Sequence, residues 1–70
     1  MGKITINLNG EKTTIKTPSI VNLLKQLQLN ESHVIIEINN QIIPKQQLSN
    51  TRLTNNDTVE IIRYIGGGKN

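Results

Sequence analysis

Lys3-Ile4-Thr5-Ile6-Asn7-Leu8 alternates polar and apolar side chains, the period-two pattern of a strand with one face buried. Asn9-Gly10 follows, the dipeptide that most readily takes positive φ in a tight hairpin turn, so the chain is predicted to double back at once. The return strand, residues 11–17, is polar apart from Ile15 and reads as an edge strand with one face in water. Pro18 stops it. Ser19 is a good helix N-cap, and Ile20, Leu23, Leu24 and Leu27 recur at the i, i+3, i+4, i+7 spacing, which predicts one amphipathic helix over residues 20–29. Val34-Ile35-Ile36-Glu37-Ile38 is the most apolar short run and reads as a central strand. Asn39-Asn40-Gln41 turns the chain into a short strand at Ile42-Ile43 that Pro44 ends. Residues 45–54 are polar, with Leu48 and Leu53 as isolated anchors and room for a single helical turn. Asn55-Asn56-Asp57 is a turn signal, and a final strand runs over residues 58–64.

Strand, strand, helix, strand, short strand, loop, strand is the order of an α+β, ubiquitin-like β-grasp arrangement. In it a mixed sheet of four to five strands carries one helix across one face, and the last strand returns to the middle beside the first, parallel to it. Ile4, Ile6, Ile15, Leu23, Leu27, Ile36, Ile38, Val59 and Ile61 are the expected inward positions. Residues 1–65 form the domain and residues 66–70 a glycine-rich tail, expected to be mobile.

Composition narrows the chemistry. Seventy residues make one domain with a small core. With no cysteine there is neither a disulfide nor a thiol nucleophile, and a single histidine excludes the usual clustered His/Cys metal sites. Phe, Trp and Ala are absent, so the core is drawn from Ile, Leu and Val, which favours strands. The abundance of Ile and Asn is the bias of an AT-rich genome, bacterial or organellar. The net charge of +3 is spread along the chain, and one aromatic residue offers no stacking platform, so nucleic acid is not an expected partner. No run approaches the length of a membrane span and no signal-peptide core follows Met1, so no membrane association is expected. The expected location is the cytoplasm, or an organelle stroma for a plastid-encoded chain.

Gly66-Gly67-Gly68 hangs directly off the last strand. A run without side chains is a thread that can enter a narrow active site belonging to another protein, and the reacting group is then a terminal carboxylate. Gly66-Gly67-Gly68-Lys69 lacks the upstream spacing, the Ser/Thr and the following helix of a phosphate-binding loop, so the chain is not expected to cradle ATP itself.

The Asn9-Gly10 hairpin, the Leu23-Leu24 helix, the segment from Val34 through Asn39-Asn40-Gln41 to Pro44, Asn56-Asp57, and Glu60-Ile61-Ile62-Arg63-Tyr64-Ile65-Gly66-Gly67-Gly68 together resemble the sulfur carrier family of thiamine biosynthesis, ThiS. The resemblance covers nearly the whole chain. It implies a protein co-substrate and not an enzyme: the carboxylate of Gly68, presented by Gly67 and Gly66, is adenylated by an ATP-dependent adenylyltransferase of the ThiF type. It is then converted to a thiocarboxylate that donates sulfur to thiazole synthase. A cysteine desulfurase or a rhodanese-like protein supplies the sulfur, and no cofactor is bound beyond that covalent sulfur. Carriers serving molybdopterin or tRNA thiolation differ only in partner, and a ubiquitin-like adaptor without terminal chemistry is the alternative of another class.

Lys69-Asn70 depart from the family pattern, which ends at the glycines. They fit a precursor trimmed by a peptidase, an extension of the coding frame, or a fold that has lost activation and serves as a binding module. Ile62, Tyr64, Arg63 and Ile43 are the expected docking surface near the root of the tail. Ile35 is the other apolar residue left over once the inward set is assigned. Glu37 and Glu60 fall within strands, free to face a partner or to pair with Lys or Arg across the sheet. His33 reads as an exposed loop residue.

Overall fold

Both hairpin turns form through paired residues at positive φ. In the computed structural model, which describes residues 3–64, β1 (Ile4–Leu8) and β2 (Glu11–Ile15) pair antiparallel with Leu8 opposite Glu11. Asn9 and Gly10 between them hold φ of 50° and 87°. This is the mirror-image turn whose twist matches the flanking strands, and glycine and asparagine tolerate it with least strain. The same solution recurs between β3 (Val34–Ile38) and β4 (Gln41–Ile42), where Asn39 and Asn40 hold 52° and 70°.

The sheet runs β2-β1-β5-β3-β4, with β5 (Thr58–Arg63) in the middle, parallel to β1 and antiparallel to β3. The expected return of the last strand beside the first is therefore present, and β2 is an edge. Asn39 ties the turn after β3 to the start of β5. Its backbone N–H donates to Thr58 O at 2.8 Å, and its side-chain oxygen accepts from Thr58 N–H at 3.0 Å.

Helix α1 (Ile20–Gln26) begins as the sequence predicts, with the Ser19 hydroxyl oxygen accepting from Asn22 N–H at 3.1 Å. It ends earlier than residue 29. Leu27 is the C-cap, Gln28 swings to φ 59°, and the Leu24 and Lys25 carbonyls accept from Leu29 and Gln28 N–H, a Schellman closure made without glycine. One consequence corrects the inward set: the helical stripe does not continue to Leu27, which is 42% exposed, and Leu29 packs half-buried against the core instead.

Ile6, Ile15, Ile20, Leu23, Leu24, Val34, Ile36, Val59 and Ile61 fill the space between sheet and helix, while Ile4 and Ile38 are half-buried at its margin. Val34, absent from the expected set, shares the inward parity of Ile36. The long polar connection before β5 completes this core. Its 3₁₀ helix, Lys45–Asn50, and the residues after it bury Leu48 and Leu53 to 2% and 1% exposure, each burial worth about 1.5–3 kcal/mol. Leu53 N–H donates to Pro18 O, and Arg52 bridges Ser19, so the connection closes against the start of α1. It lies on the helix side. The opposite face of the sheet keeps Ile35, Ile42 and Ile62 exposed. Among the described residues no helix is long and apolar enough to cross a membrane.

Candidate functional site

Gly66, Gly67 and Gly68 lie outside the described residues, so the structure addresses the strand that leads to them and the surface around it. Tyr64, the last described residue, is held at two points: its N–H donates to His33 O at 3.1 Å and its hydroxyl donates to Ser32 O at 2.9 Å. Lys45 closes over it, with Nζ 3.4 Å from both the Tyr64 hydroxyl and Val34 O and 5.6 Å from the ring centroid. The short 3₁₀ helix Glu31–His33, capped by the Asn30 side chain, supplies both carbonyls for Tyr64. The root of the tail is thereby fixed to the body of the domain. His33 itself has an exposed side chain, as expected, and only its carbonyl serves the site.

The other three expected docking residues occupy different places. Ile62 stands on the open face directly opposite Ile35, and the two are 44% and 38% exposed. Arg63, opposite Val34, has the parity of Val59 and Ile61 and so belongs to the helix side of the sheet, exposed at its rim. Ile43 is half-buried, packs against the core, and donates its N–H to Ile36 O at 2.9 Å. The residue that sequence reasoning passed over is Ile42, 65% exposed beside Glu37 on the open face. Strand parity through the Asn39-Asn40 turn is the signal that separates it from Ile43.

On the β1 side, pairing with β5 covers only Asn7 with Thr58 and Leu8 with Val59. The Asn9 side chain extends it by one bond, its Oδ1 accepting from Ile61 N–H at 2.8 Å. Lys3, Lys16 and Arg52, far apart in sequence, line a groove of about 520 Å³ with Ile4, Pro18 and Leu53 where β1 begins, away from the end of β5. No group of His, Cys, Asp or Glu among the described residues is arranged to hold a metal ion.

The model of the ThiS family matches residues 4–68 of the chain. The chain belongs to the ThiS family. It is 37% identical over 65 residues to the sulfur carrier protein ThiS of Bacillus subtilis, covering 90% of this chain and 98% of that protein. It is 38% identical over 66 residues to the uncharacterized protein ycf40 of Porphyra purpurea, covering 93% of each. A thiazole synthase of Paramagnetospirillum magneticum is 32% identical over 62 residues, which is 87% of this chain and 19% of that longer protein. Among solved structures, the thiamine biosynthesis protein ThiS of Geobacter metallireducens superposes with a TM-score of 0.77 over 93% of this chain and all of the other. At 23% identity it establishes the shared β-grasp fold.

Proposed function

We propose that this protein is the sulfur carrier of thiamine biosynthesis and that Gly68 carries the sulfur. The observation that carries the reading is the span of the family match, which runs through the domain and the glycine run and stops at Gly68, leaving Lys69 and Asn70 beyond it.

The chemistry follows from what a carboxylate lacks. It is a poor electrophile, so an oxygen of the Gly68 carboxylate attacks the α-phosphorus of ATP on an adenylyltransferase and pyrophosphate leaves. A persulfide sulfur of the donor then attacks the carbonyl carbon of the acyl adenylate and AMP leaves. A thiol next attacks the donor-side sulfur of the resulting acyl disulfide, forming a disulfide with the donor and releasing the terminus as a thiocarboxylate. The body of this chain contributes no group to these steps. It contributes position: Tyr64 is anchored by two hydrogen bonds, so everything beyond it starts from a fixed point. Gly66 and Gly67 let the chain lie extended where a Cβ would meet the walls of a narrow channel. Gly68 reacts after Lys69 and Asn70 have been removed.

Ile62 and Tyr64, with Arg63 at the rim, form the docking surface for the activating enzyme. Thiazole synthase is the recipient of the sulfur; the likeness of this chain to part of one thiazole synthase supports carrier and recipient working side by side.

The test is Gly67→Val in the chain ending at Gly68, assayed for adenylation with the adenylyltransferase of the same host. The variant folds normally, with an unchanged melting temperature, and loses adenylation by a factor of a hundred or more, roughly what misplacing a reacting group by an ångström costs. Undiminished adenylation overturns the threading reading.

A further inference from the structure

Glu37 and Glu60 stand directly opposite each other on β3 and β5, on the open face of the sheet. The cross-strand partner of each is therefore the other carboxylate and not a Lys or Arg, an arrangement that works against the sheet. The neighbouring positions on that face do not neutralise them. Along β5 they are Thr58 and Ile62, along β3 Ile35, and across to β4 Glu37 meets Ile42. On the other side of β5 the first strand has ended and the Asn9 turn takes its place. Glu60 is exposed and Glu37 half-buried, so the pair sits within a frame of three exposed isoleucines, Ile35, Ile42 and Ile62.

We propose that this face docks a protein partner presenting a guanidinium or ammonium group between Glu37 and Glu60, with apolar side chains over Ile35, Ile62 and Ile42. The inference rests on the carrier reading and supplies the chemistry by which the activating enzyme is recognised. Charge decides among occupants. A second copy stacked on the same face brings four carboxylates together, and a phosphate group, of nucleic acid or lipid, is repelled at this pair. A guanidinium satisfies two carboxylates at once through its fork of donors, and the bond strengthens as the isoleucines exclude water. The repulsion carried by the free protein is relieved on docking, so the same two residues that weaken the fold favour the complex.

That opposition gives the test. The Glu37→Gln/Glu60→Gln double variant of the full chain is compared with wild type by thermal unfolding and by calorimetric binding to the host's adenylyltransferase at low and high salt. The expected result is a higher melting temperature together with binding weakened on the order of tenfold at low salt and a flattened salt dependence. Wild-type affinity in the variant, or a lowered melting temperature, overturns the inference, as does a wild-type chain that does not bind. A wild-type chain that binds with this charge dependence but is not adenylated even when it ends at Gly68 sinks the carrier chemistry and still supports the docking face.

Discussion

Asn9 does three things at once. It holds φ at 50° in the first turn, donates its N–H to Val59 O at 2.9 Å, and accepts from Ile61 N–H through its side chain. The turn was legible from the dipeptide alone, because few residues accept that backbone. The bond to Ile61 spans 52 positions and was not, since no local pattern says which strand lies alongside. Asp57 is a second such residue. Burial alone would raise its pKa, but hydrogen bonds from Thr54 N–H, Asn39 Nδ2 and the Thr54 hydroxyl outweigh that and hold the carboxyl below its ordinary value. A carboxyl whose pKa is lower in the folded state stabilises the fold above its unfolded pKa, about 4, and that contribution is lost as pH falls through the folded value. Unfolding free energy measured from pH 5 to pH 2 should therefore fall more steeply for wild type than for Asp57→Asn. Parallel curves would contradict the assignment.

At the scale of elements, strand order and the start of the helix were readable because each is punctuated by a residue with one physical role: Pro18, Ser19, Pro44, the Asn pairs. The helix end was not, because Gln28 is a good helix former that the fold places at left-handed φ. That position predicts its own repair. Gln28→Gly should stabilise the domain by about 0.5–1 kcal/mol in chemical denaturation, the left-handed penalty less the extra entropy glycine loses on folding. Destabilisation would mean that the Gln28 side chain, and not the backbone, is what matters there. Register was the other unreadable feature. Glu37 and Glu60 each read as an ordinary strand charge, and only the pairing of β3 with β5 shows two carboxylates facing each other among exposed isoleucines.

On the proposed reading the whole molecule divides labour between a body and a glycine thread. An aliphatic core sealed by Leu48 and Leu53 fixes β5 in the centre of the sheet, and β5 leads directly into a tyrosine anchored to two carbonyls. A chain without cysteine offers no thiol to carry sulfur, which is why the proposed carrier site is its terminus. The glycine run points to that terminus in the sequence and lies outside the described residues. Of the proposed docking surface, Ile62 and Tyr64 stood out in the sequence as leftover apolar residues, whereas Ile42 and the glutamate pair needed the assembled sheet. Carrier function is tested most directly by the intact mass of the protein isolated from its native host during thiamine starvation. A sulfur carrier loaded at Gly68 should end there and be heavier than the free acid by the mass difference between sulfur and oxygen. A full-length, unmodified chain still carrying Lys69 and Asn70 would contradict that function.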